Sequence, residues 1–201
     1  MSFNIYLTSK WDTAADGIWT THEGQELYRT IDPWTSSTVT IERATASGPN
    51  ATYSTLATLR FRDFHSDVLK FGGNEYKEGD FFRKGPMFTS SMKDFFNWGR
   101  DRIFTGPDNV EYAWKLRKHA VELHLNDDSK TPKVIATFHP KKSSLMGLRR
   151  GEPAYLEIMP EGQHMIDLIF ITFIYAEKIR YDRELSSAAG KAGVKLGNAV
   201  Q

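Results

Sequence analysis

Four basic residues, Lys141, Lys142, Arg149 and Arg150, bracket the apolar tip Leu145-Met146-Gly147-Leu148, and this is the grouping in the chain best suited to a binding task. A loop of that composition can meet anionic lipid headgroups with its charges while Leu145 and Met146 enter the membrane interface, each cation near an anionic surface contributing about 1 kcal/mol. The competing reading is a solvated hairpin loop, because four charges stand at the lower edge of a polybasic cluster. Arg100, Arg102, Lys115 and Arg117 form a second basic group that would be tested next.

Other residue types that carry chemistry are present without the spacing that chemistry needs. Asp63, His65 and Asp67 alternate, so an extended backbone would turn them one way, but no further ligand cluster accompanies them and no metal site is expected. The six histidines, His22, His65, His119, His124, His139 and His164, form no HExxH or similar pattern. Ser90-Ser91 and Ser143-Ser144 lack a Gly-x-Ser-x-Gly elbow, and Asp127-Asp128 falls in an expected turn. No catalytic residue and no cofactor is expected. Trp11, Trp19, Trp34, Trp98 and Trp114 are expected in core and rim packing rather than along a ligand groove.

The elements that position these residues are organised by one stretch near the C-terminus. Between Met165 and Ala176 only Asp167 and Thr172 are polar, so a helix here is apolar around almost its whole circumference and must be enclosed by protein. A membrane span needs about 20 predominantly apolar residues, whereas this run is shorter, contains Asp167 and meets Glu177, Lys178 and Arg180 at once. The preceding 160 residues read as short strands: 18–31 as a hairpin, 38–43 and 55–61 around a loop at 45–52, 102–105 and 110–116 around Gly106-Pro-Asp-Asn109, 120–125 and 133–138 around 126–129, and 154–159. Residues 63–98 read as short strands and a long loop, with a brief helix at Met92–Trp98. Roughly a dozen short antiparallel strands and one all-round apolar helix predict an antiparallel β-barrel or curved sandwich enclosing that helix.

With 201 residues, 40% hydrophobic and 25% charged, the chain has the composition of one globular domain, and its net charge of +1 gives no global field for nucleic acid. Zero cysteines exclude disulfides, thiolate metal sites and a cysteine nucleophile. The N-terminal residues lack the apolar core of a signal peptide, so a cytoplasmic and at most peripheral-membrane location is expected. The domain is expected over 1–185 with an elaborated insertion at 63–98, followed by a small-residue mobile tail at 186–201.

Arg102-Ile-Phe-Thr-Gly-Pro-Asp108, Glu111-Tyr-Ala-Trp-Lys-Leu116, Ala154-Tyr-Leu-Glu-Ile-Met-Pro-Glu-Gly162 and Leu168-Ile-Phe-Ile-Thr-Phe-Ile-Tyr-Ala-Glu-Lys178 resemble a fungal family of uncharacterised domains. That family is similar to the tubby C-terminal-like superfamily, with its LURP-one-related and scramblase-like members. The resemblance covers 100–184 best, 1–62 more weakly, and not 63–98. It implies a β-barrel threaded by a C-terminal hydrophobic helix, and by fold analogy a lipid-linked role. The expected function is therefore a non-enzymatic binding module for an anionic membrane lipid surface. The alternatives are a protein-interaction scaffold in signalling or defence, and a small-molecule enzyme with a site near 63–98.

Overall fold

A computed structural model describes residues 1–9, 13–33, 36–46, 51–85, 101–117, 121–127, 129, 131–142 and 152–198, with side chains to 187. The strands are β1 (Phe3–Thr8), β2 (Gly17–Thr20), β3 (Glu26–Ile31), β4 (Thr38–Ala44), β5 (Tyr53–Arg60), β6 (Val68–Phe71), β7 (Asn74–Lys77), β8 (Arg83–Lys84), β9 (Arg102–Thr105), β10 (Glu111–Leu116), β11 (Val121–Leu125), β12 (Val134–His139) and β13 (Tyr155–Ile158). A one-turn helix, α1 (Glu78–Phe81), separates β7 from β8, and a 3-10 turn at Pro160–Met165 leads into the long helix α2 (Ile166–Asn198).

All thirteen strands belong to one antiparallel sheet in the order β7-β6-β5-β4-β3-β2-β1-β13-β12-β11-β10-β9-β8. Nearly every neighbour in space is a neighbour in sequence, because short turns join alternating segments into hairpins. The two-residue turn Gly72-Gly73 shows why: both residues have positive φ, 58° and 78°, which glycine adopts without penalty, and Phe71 is thereby registered opposite Asn74. Asn109, at φ 60°, takes the left-handed position in the β9–β10 turn, as its side chain permits.

The hydrogen-bonded ladder is not closed. Its two edge strands, β7 and β8, are consecutive in the chain and linked through α1, and aromatic side chains fill the space between them. Phe81 packs on Phe71 at 5.3 Å and on Phe104 at 5.9 Å between ring centroids. The segment expected as an insertion thus supplies both edges of the sheet, with Leu69 and Phe82 in the core. The brief helix expected at 92–98 lies outside the described residues.

The sheet curves around α2. Residues 169–176 are each exposed by 2% or less, a continuous run that covers more than two helical turns and leaves no solvent face. Phe173 meets Trp19 of β2, Trp114 of β10 and Phe138 of β12 at 5.6, 6.0 and 4.9 Å, while Phe170 stacks on Tyr28 of β3 at 4.1 Å. Thr172, the polar residue within this run, is satisfied twice: it accepts from Trp114 Nε1 at 2.9 Å and donates to the Leu168 carbonyl at 2.8 Å. The enclosed helix follows from its sequence, since any exposed face would leave several large apolar side chains in water at about 1.5–3 kcal/mol each. Gly162 lets the 3-10 turn lie close against the core, for a β-carbon there would stand 2.8 Å from both Ile135 Cγ2 and Ile169 Cδ1. The helix runs on to Asn198, past the boundary expected at 185. Among the described residues no helix is long and apolar enough to cross a membrane.

Candidate functional site

The head of α2 opens into a cleft of about 530 Å³. Its apolar walls come from Leu56 of β5, Phe71 and Gly72 at the end of β6, Pro107 of the β9–β10 turn, Met165 of the 3-10 turn, and Leu168 and Ile171 of α2. Leu56 is there because of a register fault. Ile41 pairs with Ala57 and Glu42 with Thr55, so Leu56 is the extra residue of a bulge, the device by which a strand re-aims a side chain. Polar groups border the cleft as well. Asp167 accepts from Tyr28 OH and from Arg43 Nη1, each at 2.6 Å, and burial together with that carboxylate pushes the Tyr28 phenol well above its usual range. His164 at the rim lies 3.2 Å from Asp108, which also accepts from Tyr112 OH at 2.7 Å. Burial, reinforced by Asp108, pushes the Tyr112 phenol up to about 12. A largely apolar cavity with a few converging polar groups suits a small ligand that is itself part apolar.

Where α2 leaves the sheet, a smaller cleft of about 290 Å³ has different chemistry. Leu7, Phe138 and Pro153 form one side, and Glu177, Arg180 and Glu184 the other. Arg180 grips Glu177 through two bonds of 2.7 Å and reaches Glu184 at 2.8 Å, so one guanidinium serves two carboxylates. Burial raises the Glu177 carboxyl above its ordinary value despite the guanidinium beside it.

Of the residues expected to bind lipid, Lys141 and Lys142 are described, and they lie at this second end. Lys141 borders the smaller cleft, and Lys142 pairs with Glu152 at 2.8 Å in a short bridge between the strand ends. Leu145, Met146, Arg149 and Arg150 lie outside the described residues. The reserve patch is committed elsewhere: Arg102 is buried 3.1 Å from Glu78, and Lys115 and Arg117 lie 2.8 and 3.8 Å from Asp101, while Arg100 is outside the described residues. Asp67 serves the fold, accepting from Tyr175 OH at 2.9 Å and from the Arg62 backbone N–H, whereas Asp63 and His65 are exposed. Among the described residues no group of three potential metal ligands converges. Trp19 and Trp114 are core residues; Trp11, Trp34 and Trp98 lie outside the described residues.

A family model, the family of unknown function DUF6593, matches residues 12–182, which takes in the whole lining of the helix-head cleft, part of the smaller one and the enclosed part of α2. The chain belongs to that family. No curated protein and no solved structure matches it. For this DUF6593 chain the functional evidence is therefore the geometry of its own sites. Sequence reasoning missed the helix-head cleft, although one signal pointed to it: Asp167 stands alone in an apolar run and needs partners, and those partners are Tyr28 and Arg43.

Proposed function

We propose that the protein is a non-enzymatic binding module that takes the apolar part of an amphipathic, lipid-type ligand into the cleft at the head of α2. The observation that carries this is the cleft itself: about 530 Å³ of space walled by Leu56, Phe71, Met165, Leu168 and Ile171, with Arg43 at its polar side. Arg43 is exposed, and a guanidinium has five N–H donors of which Asp167 engages one here, so it can also meet an acidic head group.

We read the sheet as a barrel whose last seam, between β7 and β8, is sealed by Phe81 and Phe82 rather than by backbone hydrogen bonds. A curved sheet around a C-terminal apolar helix supports kinship with the tubby C-terminal-like superfamily. The basic loop at 141–150 is a separate lipid contact under this proposal. Asp167 and Arg180 are thirteen positions apart on α2, about 20 Å at 1.5 Å per residue, so one flat membrane does not press on both ends together.

Isothermal titration with n-alcohols below their solubility limits tests the cleft. Affinity should rise about fourfold per added methylene from hexanol to decanol, the value of about 0.8 kcal/mol for a buried CH₂. Leu168→Trp, which fills the cleft from a half-buried position, should abolish binding while leaving the circular dichroism and melting temperature near those of the wild type. Affinity independent of chain length, or unchanged in a folded Leu168→Trp protein, would remove the cleft from consideration.

A further inference from the structure

A second depression adjoins the helix-head cleft. It is a groove of about 410 Å³ along β5 and β6, and it shares Leu56, Phe71 and Gly72 with the cleft, so the two meet along one edge. Their chemistry differs. The groove carries the hydroxyls of Thr55 and Thr58 and the cations Arg60 and Lys70. Thr58 is registered opposite Lys70, and Arg60 lies two residues along the same strand, so these three side chains leave the sheet on one face. Among the described residues neither Arg60 nor Lys70 forms an ion pair, although most of the other described basic side chains do. Two carboxylates oppose an anion nearby: Glu75, across the strand from Lys70, and Asp167, whose charge is met by Arg43 and Tyr28.

We infer that cleft and groove are the two halves of one site, and that its ligand is a single-chain amphiphile with an anionic head, a phosphate or carboxylate, held by Arg60, Lys70 and the Thr58 hydroxyl while the chain lies in the cleft. This rests on the cleft reading proposed above and adds the head-group class to it. Two cations without an ion pair, flanked by hydroxyls, form hydrogen bonds that are charge-assisted, and their groove adjoins an apolar cleft to which a tail could go. A neutral amphiphile would leave both cations unused, and a free inorganic anion would leave the cleft empty.

Three probes separate the possibilities: decyl phosphate, decanol and inorganic phosphate, each titrated calorimetrically below any micelle-forming concentration. The variants are Arg60→Glu/Lys70→Glu and the milder Arg60→Gln/Lys70→Gln, all at exposed positions where folding is checked by melting temperature. Decyl phosphate should bind on the order of tenfold or more tighter than decanol, as expected for hydrogen bonds to a charged group. The advantage should shrink in the Gln pair and vanish in the Glu pair, with decanol affinity unchanged and inorganic phosphate binding far more weakly than either. Equal affinity for decyl phosphate and decanol, or an advantage that survives charge reversal, overturns the head-group assignment and leaves the cleft reading standing. Inorganic phosphate binding as tightly as decyl phosphate overturns the amphiphile in favour of a free-anion site. Failure of both decyl compounds to bind overturns the cleft reading and this inference together.

Discussion

The two ends of the enclosed part of α2 are built alike and equipped oppositely. At each end the helix leaves the shelter of the sheet and a cleft forms between helix and strand ends, yet the head presents apolar walls with Arg43 and Asp167 half in water, and the tail presents Glu177 and Arg180 buried against each other. The tail ties Glu177, Arg180 and Glu184 into one hydrogen-bonded cluster, so these polar groups are spent on the fold. The head keeps apolar surface that no side chain of the described protein covers, and uncovered apolar surface beside unpaired cations is what a ligand can use. Under the proposed function, a structural end and a binding end are distinguished by what remains unsatisfied, not by the number of charges.

The largest test of this contrast removes the helix altogether. A chain ending at Gly162 loses every contact of residues 169–176 and should not fold: its β-type circular dichroism and cooperative melt should disappear. A soluble truncated chain with unchanged β-type dichroism would show that α2 is not the core.

Next in size is a comparison of the two arginines. Arg180→Met leaves the buried Glu177 without its guanidinium and should cost about 3–5 kcal/mol in urea unfolding, whereas Arg43→Met breaks an exposed pair and should cost less than about 1 kcal/mol. Equal costs would mean that the ends are not energetically distinct.

A smaller effect separates the ends by pH. Burial raises the folded-state carboxyl of Glu177 above its unfolded value, so the folded protein binds this proton more tightly. The stability linked to that proton is fully present below about pH 4.5, the ordinary carboxylate range, and is lost as pH rises through the folded value. The unfolding free energy of the wild type minus that of Glu177→Gln should therefore fall as pH is raised from 4 to 7. A difference that rises with pH would show that Arg180, rather than burial, dominates.

A further small change is expected at the rim of the cleft. Gly72→Ala forces a β-carbon into a positive-φ turn position and should cost about 1 kcal/mol, read as a lower urea midpoint with an unchanged slope. No measurable cost would mean that the Gly72-Gly73 turn does not set the β6–β7 register.

What could be read from the sequence was whatever depends on local periodicity. Tyr112, Trp114 and Leu116 alternate and are all buried, and the apolar belt ending at Ala176 marks where the helix becomes enclosed. The cleft could not be read that way, because its polar side joins Asp167 to residues 124 and 139 positions earlier, and no local pattern encodes such a pairing. Leu56 left a faint trace: it breaks the alternation of Thr55-Leu56-Ala57-Thr58-Leu59, which is how a bulge appears in sequence. The basic loop drew attention because its charges are adjacent in the chain, whereas Arg60 and Lys70 are brought together only by the pairing of β5 with β6.

The central claim is that ligand enters at the head of α2 and not at its tail. A methyl-labelled nuclear magnetic resonance titration with decyl phosphate tests it directly, because Leu56, Leu168 and Ile171 report on the head and Leu7 on the tail. Saturable shifts at Leu56, Leu168 and Ile171 with Leu7 unmoved are the predicted result; shifts confined to Leu7, or none at the three head residues, would contradict it.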